Sequence, residues 1–499
     1  MKIQLYVPPG GYFAERWSEN MMPALGHLYI AAVLEEAGYS VEVVPSHILD
    51  MSWDQIGDKI RKDRPDIVGI TTTTENRFLS FRLAEVAKRA HPDTFTLVGG
   101  PHFNGTGIDT LEHIRAIDAV CEGEGEETML ETVQALETKA PLESIAGLVW
   151  RNGKITRNPK RALMRDLSTM PMPARHLEPM ERYPFLMEVP GVGKVPGGNI
   201  MTSRGCPFTC KFCATPTNWG RKMRAITPVQ VVDEMQLLKE KYGAQAIWFY
   251  DDTFNYSPKR VYEICDEMDR RKLRMHWWCE VRVDVMDRDL LARMHECGLF
   301  GVGFGIESAN ERVSRDIITK RATLDQAYDV IDWCNELGMV PSAFFIFSHP
   351  TETWQEAQET IKVIEKVRDR ADASMSILHV YPGTPIEDRA REEGQLPKDF
   401  SWSVERDSRV VLLPPVQGHA PLYMDKLSWA QVCELMVRFS IAHKKVKVKR
   451  KLPAVLKSLY SWRDVYRYGI LTLTLMKFRL LSRLRGEGAH RGPVGFTVH

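Results

Sequence analysis

Strand and helix signals alternate twice along this chain, in two runs parted by a connector, and that pattern leaves few folds open. Over residues 1–140 the short apolar runs KIQLYV, SVEVVP, DIVGIT, FTLVGG and IDAVCEG alternate with segments of helical period. One of these, LGHLYIAAVLEEAG at residues 25–38, stops at a glycine. Strands joined through helices by short loops lie parallel, with helices on both faces. The expected class is α/β, beginning with a Rossmann-like parallel sheet. Such a sheet binds ligands outside the carboxyl ends of its strands. Those ends read TTTTEN (71–76), GGPH (99–102) and EGEGEE (122–127). Glycines and hydroxyls there let a large polar ligand approach the backbone, although turn chemistry alone accounts for any one of them. No G-x-G-x-x-G follows a strand, which argues against a nicotinamide cofactor.

Residues 141–194 form the connector. GLVWRNGKITRNP reads as a hairpin turning at Asn152-Gly153, and the proline-rich DLSTMPMPARHLEPM as an extended surface segment. The second run, 195–390, holds six strand–helix steps and is expected to close into a partial barrel. Residues just after each strand of such a barrel line one mouth. A cysteine loop follows the first strand, Asp251 and Asp252 the second, and Glu280 and Arg282 end the third. Glu307 and Ser308 follow the fourth, residues 348–352 the fifth and 381–385 the sixth. Trp277, Trp278, Phe344, Phe345 and Phe347 read as barrel core. The Asp251-Asp252 pair has a second reading, as the N-cap of the next helix. Glu307 after an apolar strand points to function, because an unpaired buried carboxylate is costly.

The chain has 499 residues, 44% of them hydrophobic, enough for two or three domains. A formal net charge of +1 gives no global field for nucleic acid. Its nine cysteines are scattered except at 206, 210 and 213, which is no disulfide framework and suggests a reducing cytoplasm. The start, MKIQLYVPPGG, suits a strand better than a signal peptide, and no window of 18 uncharged apolar residues is present.

The loop RGCPFTCKFCATP places Cys206, Cys210 and Cys213 at C-x-x-x-C-x-x-C spacing. A structural zinc site or buried thiols are the plain alternatives. Zinc wants a fourth ligand in a closed site, and neither His349 nor His379 has finger-like spacing. Thiolates also hold iron–sulfur clusters, and three of them on a four-iron cubane leave one iron open.

With its aromatic before the last cysteine, this loop resembles that of the radical S-adenosylmethionine superfamily, over residues 195–390. The resemblance implies a 4Fe-4S cluster on Cys206, Cys210 and Cys213, whose open iron chelates S-adenosylmethionine and whose electron cleaves it to methionine and a 5′-deoxyadenosyl radical. Phe212 would sit near the adenine. Asp251 and Asp252 stand where relatives have Gly-Gly-Glu against the methionine amine, while Glu307 and Ser308 match ribose and carboxylate contacts. Glu280 and Arg282 join them as cofactor contacts at the mouth. Close relatives end the fifth strand in Gly-x-Pro-Gly-Glu; SHPTE keeps Pro350 and Glu352 and loses both glycines. Most of residues 1–135 resembles the cobalamin-binding domain of the same superfamily, through PALGHLYIAAVLEEAGYSVEVV, RPDIVGIT, VGGPH and GEGEET. That implies corrin and nucleotide-tail contacts from Thr71, Thr72 and Thr73, from Gly99, Gly100 and Pro101, and from Glu122 and Gly123. No Asp-x-His precedes residue 150, so no lower histidine ligand is expected; His27 and His102 read as polar contacts or plain loop residues.

Together these imply methylation of an unactivated carbon in a hydrophobic or secondary-metabolite substrate, through a 5′-deoxyadenosyl radical and methylcobalamin, with no catalytic side chain yet named. A radical oxidative cyclase, like anaerobic magnesium-protoporphyrin ester cyclase, is the alternative. An electron carrier or cobalamin sensor without catalysis is disfavoured by the polar strand ends. The expected partners are a lipophilic small molecule and a reductant such as flavodoxin or ferredoxin, with no nucleic acid. Residues 391–499 are expected to be mainly helical and basic, with thirteen Lys/Arg against one acid over 444–485. Such a segment either touches a membrane surface or packs as a lid on the barrel, and the lid is favoured because apolar stripes usually face a core.

Overall fold

The computed structural model describes residues 1–9, 21–405 and 420–442, together with 469, 470, 473, 474, 476 and 477. Most of the basic carboxyl-terminal segment therefore lies outside the described residues, and so do its two expected roles.

Two seven-stranded sheets organise the chain. The first contains β1 (Lys2–Val7), β2 (Ser40–Pro45), β3 (Ile67–Thr71), β4 (Phe95–Gly99), β5 (Ala119–Cys121), β6 (Leu148–Asn152) and β7 (Lys154–Arg157), in the order β2-β1-β3-β4-β5-β6-β7. β1 to β5 pair in parallel. The hairpin β6–β7 adds antiparallel on the edge, turning at Gly153 with φ of +68°. Alternate strand residues serve opposite faces. Ile3, Leu5, Ile67 and Leu97 pack with residues of helices Leu25–Glu36 and Gly125–Thr138. Tyr6, Val68, Ile70 and Val98 pack with residues of helices Trp53–Asp63 and Arg77–Ala90. A short helix, Gly107–His113, that the sequence reading missed follows β4.

After β8 (Leu186–Val189), β9 (Gly193–Ile200) and the two-residue strands β10 (Ser203–Arg204) and β11 (Arg224–Ala225), the second sheet continues through β12 (Ala246–Phe249), β13 (His276–Glu280), β14 (Leu299–Glu307), β15 (Val340–Phe347) and β16 (Asp372–Ile377). Its order is β16-β15-β14-β13-β12-β9-β8. The six strands from β9 to β16 are parallel, the open half-barrel that six strand–helix steps require; β8 closes the β9 edge antiparallel. Each following helix starts on a side-chain oxygen that accepts a backbone N–H: Thr227, Ser257, Asp287, Thr323, Thr353 and Thr384. Such caps contribute about 1 kcal/mol each and end the mouth loops at fixed points. Ser257 caps the helix after β12, so Asp251 and Asp252 do not.

Trp277, Phe345 and Phe347 belong to the main core, as the sequence reading has it. Trp278 and Phe344 sit on the opposite strand face, half-buried. Gly303 makes that possible: a Cβ there would meet the Trp278 ring at 2.5 Å and Phe344 at 2.7 Å.

The proline-rich connector is not a surface strap. Ala174 and Arg175 are buried, and Arg175 donates to Glu234 at 2.6 Å and to the Asn199 carbonyl at 2.5 Å. The segment carries a charge inward because β9 and helix Pro228–Tyr242 supply its partners. Replacing one member of a buried ion pair strands the other, at a cost of about 3–5 kcal/mol. Arg175→Leu is therefore expected to lower stability by about that amount, read from the guanidinium unfolding midpoint; an unchanged midpoint would mean the pair contributes nothing.

Candidate active site between two sheet ends

The cysteine loop is an excursion from a narrow stem. Arg204 in β10 pairs directly with Arg224 in β11, and residues 205–223 form the excursion between them. Gly205 has φ of +96° and lies against the Lys222 carbonyl, where any side chain would collide. Two guanidinium groups opposite each other in a ladder repel. Carboxylates from the first sheet's EGEGEE loop neutralise them. Glu124 accepts from Arg204 at 3.1 Å and from Arg224 at 2.8 Å, and Glu126 from Arg204 at 2.5 Å. All four are at most 5% exposed. With Glu122 on Arg157 at 3.0 Å and Glu127 on Arg161 at 2.9 Å, all four acids of that stretch meet arginines, and Glu124 and Glu126 do so in a buried setting.

Cys206, Cys210 and Cys213 are partly exposed and unpaired in disulfides. Burial raises the Cys210 thiol, against the pull of Lys320 and Arg282, and pushes Cys213 up to about 11. Arg282 lies 3.9 Å from the Cys210 sulfur, stacks 3.5 Å over Phe208 and is held by Asp284. Among the described residues no three His, Cys, Asp or Glu side chains are set around one metal ion. The donor set of three soft thiols on one loop, with cations beside them, fits an iron–sulfur cluster.

The expected mouth residues divide into two groups. Asp252, Glu280 and Glu307 converge with Lys320. Burial lifts Asp252 to about 6; burial and the charges of Asp252 and Glu307 lift Glu280 to about 7. Glu307 sits at φ of +63° and pairs with Lys320 at 2.8 Å. Gly305 gives that pair its room, since a Cβ there would strike both charged groups. Asp251 and Ser308 are instead committed to structure. Asp251, 2% exposed, accepts from Thr202 N at 2.6 Å, from the Thr202 hydroxyl at 2.5 Å and from Ser203 at 2.6 Å. It braces the strand end that launches the cysteine loop. Ser308 is buried against Thr360 at 3.2 Å. Lys320, which follows no strand end directly, carried no signal in the sequence.

SHPTE keeps a glycine-like backbone without glycine. Ser348 and Thr351 stand at φ of +69° and +62°, conformations that cost a non-glycine residue roughly 1–3 kcal/mol. Ser348 donates to the Tyr423 carbonyl at 2.8 Å, and Asp425 accepts from Thr351 N at 2.8 Å. Those bonds hold the strained turn. Glu352 is fully buried, lifted to about 8 by burial, and accepts from His349 N at 3.0 Å. The Phe212 ring meets His349 edge-on at 6.0 Å.

At the carboxyl edge of the first sheet, Thr73 and Pro101 are exposed and Thr71, Gly99, Gly100, Glu122 and Gly123 half-exposed. Thr72 turns inward to bond Ser80. Gly100 fits flush on Thr72, whose carbonyl a Cβ would meet at 2.5 Å. Gly123 donates to Asn104 at 2.7 Å, and Glu122 accepts from Gly107 and Arg157, each at 3.0 Å. His102 touches Thr74 at 3.2 Å and keeps its buried Nε2 without a partner; His27 is likewise buried, with an unpartnered Nδ1. A flat edge of small residues with orphaned polar atoms suits a large amide-rich ligand such as a corrinoid. This edge faces the barrel mouth, joined to it by Tyr381 on Glu75 at 2.8 Å and Asn104 on Asn218 at 2.7 Å.

Comparison with known proteins agrees with this layout. The radical SAM superfamily model matches residues 200–364 and the B12 binding domain model residues 18–133. The chain is 35% identical to uncharacterized methyltransferase PH0819 of Pyrococcus horikoshii, over 77% of this chain and 82% of that one. It is 30% identical to the anaerobic magnesium-protoporphyrin IX monomethyl ester cyclase of Rubrivivax gelatinosus, over 80% and 70%. Its fold matches the radical S-adenosylmethionine methyltransferase TsrM of Kitasatospora setae, solved with cobalamin and a [4Fe-4S] cluster, at a TM-score of 0.65 and 19% identity over 79% of this chain and 75% of that one.

A carboxyl group raised by burial favours the folded state when protonated, so its penalty grows as pH climbs from the ordinary carboxylate range through its folded value. Glu280→Gln removes that penalty. The variant's unfolding midpoint is expected to exceed the parent's above about pH 7 and to converge with it near pH 4. A constant difference across that window would show that Glu280 does not titrate as described.

Proposed function

The chain belongs to the radical SAM superfamily and carries a B12 binding domain ahead of its barrel, and from that premise we propose a methyltransferase that places a methyl group on an unactivated carbon of a small, lipophilic molecule. The observation that supports this most is the facing of two parallel-sheet carboxyl ends, with the stem of the cysteine loop clamped between them. When bound, the cluster supplies the electron that cleaves S-adenosylmethionine, and cobalamin supplies the methyl carrier. Cys206, Cys210 and Cys213 hold the cluster. Lys320 and Glu307 offer one cation and one anion at 2.8 Å, complementary to an amino-acid zwitterion. Asp252 and Glu280, raised toward neutral forms, accept or donate at the same mouth without a full charge cost. Phe212 and the buried His349 wall this side against water. Thr71, Thr73, Gly99, Gly100, Pro101, Glu122 and Gly123 border the corrinoid, with Thr72 behind them. The protein's contribution is to hold donor, radical source and substrate in one line.

Exposed Lys211, Arg221 and Lys222 on the cysteine loop suit an acidic one-electron donor of flavodoxin or ferredoxin type. No helix among the described residues is long and apolar enough to cross a membrane.

The test is anaerobic reconstitution with iron, sulfide, cobalamin, a reductant and S-adenosylmethionine labelled in its methyl group. Label on the corrinoid, S-adenosylhomocysteine and 5′-deoxyadenosine are all expected, and Cys210→Ala should lose the deoxyadenosine. Deoxyadenosine without S-adenosylhomocysteine would favour the cyclase-like reaction. Deoxyadenosine persisting in Cys210→Ala would remove the cluster assignment.

A further inference from the structure

The clamp on the cysteine loop belongs to neither cofactor's own contacts. Glu124 stands at the N-cap of the helix Gly125–Thr138 that follows β5 and Glu126 lies in its first turn, at the edge assigned to the corrinoid. Arg204 and Arg224 are register partners at the stem that carries Cys206, Cys210 and Cys213. Both arginines are tied into this knot by several contacts, while the buried Arg224 Nε keeps no partner. Arg224 also donates to the Met164 carbonyl at 2.8 Å and the Trp219 carbonyl at 2.9 Å, and the Arg204 guanidinium lies 4.8 Å over Trp219 and 5.4 Å over Tyr29. Met164 N donates to Glu124 at 2.7 Å, so the connector is drawn into the same knot.

We infer that Glu124 and Glu126 are positioning residues, which fix the cysteine loop at a set distance from the corrinoid edge through Arg204 and Arg224. This rests on the proposed function and deepens it. Three facts point the same way. The stem is only two residue pairs long, and the excursion's bonds to the barrel, Lys211 N on the Ile318 carbonyl at 3.2 Å, Thr319 on the Thr209 carbonyl at 2.6 Å and Thr215 on Asp252 at 2.7 Å, do not set its place against the first sheet. Its two like charges repel unless Glu124 lies between them. Glu124 directly follows Glu122 and Gly123 in the chain and Glu126 lies in the helical turn that comes next, so whatever seats the corrinoid also seats the loop. Removing one carboxylate leaves a buried arginine uncompensated, and the cheapest relief is movement of the stem toward water.

The test uses the full-length protein, reconstituted with iron and sulfide, loaded with cobalamin and reduced with dithionite, so that cob(II)alamin and the reduced cluster are both paramagnetic. Their mutual magnetic coupling, read by electron paramagnetic resonance, reports separation and its spread independently of turnover. Parent protein is expected to show one defined coupling. Glu124→Gln and Glu126→Gln are expected to keep the parent's iron and cobalamin content and to lose the defined coupling, which spreads into an unresolved distribution; Glu126→Asp should restore part of it. Glu234→Gln breaks an equally buried pair, 2.6 Å from Arg175, whose bonds involve neither Arg204 nor Arg224, and should keep the parent coupling at lower stability. Parent-like coupling in both Gln variants, or equal loss in Glu234→Gln, would overturn the assignment. Should either Gln variant fold poorly, Arg224→Lys, which retains the charge and loses the fork, gives the same readout. Failure of the parent to hold iron or cobalamin would instead strike the functional reading.

Discussion

The structure turns on a buried exchange of charge between two sheets. Arg204 and Arg224 open the only loop that carries clustered cysteines, and neither has enough partners within its own module to survive burial. Glu124 and Glu126 supply them from a distance of 78 to 100 residues along the chain. Desolvating four charges costs several kcal/mol per ion, and only bonds of good geometry return it. A hydrophobic contact would join the two modules at lower cost but would let them slide. The Arg204 guanidinium spends one nitrogen on each carboxylate, and Arg224 spends one on Glu124 and the other on the Trp219 carbonyl, so a planar group with several acceptors fixes angle as well as distance, which a site shared between two modules requires.

The barrel is arranged around the same need for a fixed, roomy mouth. β14 reads LFGVGFGIE, and its glycines are not idle. Gly303 admits the Trp278 and Phe344 rings to the inner face, and Gly305 admits the Lys320–Glu307 pair. Further round, Ser348 and Thr351 hold left-handed backbone that glycine would adopt freely, secured by residues 423 and 425. Strain held by outside bonds is a recurring property of functional turns. Here it places the end of β15 against the loop bearing Phe212.

Much of this was legible in the sequence, for physical reasons. Alternation of apolar runs with helical periods determines a parallel sheet, and caps such as Thr227 and Thr323 act within three residues. Three cysteines on one loop are visible because their spacing is local. What escaped detection depends on contacts between distant residues. EGEGEE reads as a ligand edge, and nothing in it says that its acids meet arginines. Asp251 and Asp252 look alike, yet one braces Thr202 and Ser203 while the other faces the mouth. Ser308, adjacent to Glu307, is spent on Thr360. The proline-rich connector carries no apolar periodicity, so its burial around Arg175 could not be inferred from pattern. Lost glycines in SHPTE suggested an altered backbone; the φ values show the backbone kept and the side chains accommodated.

Every functional step proposed here needs an iron that the three cysteines leave open. Mössbauer spectroscopy of the reconstituted protein with and without S-adenosylmethionine tests that directly. One iron in the cubane should change its signal when the sulfonium compound is added, while the other three do not. Four irons indifferent to the addition, or zinc in place of iron on this loop, would contradict it.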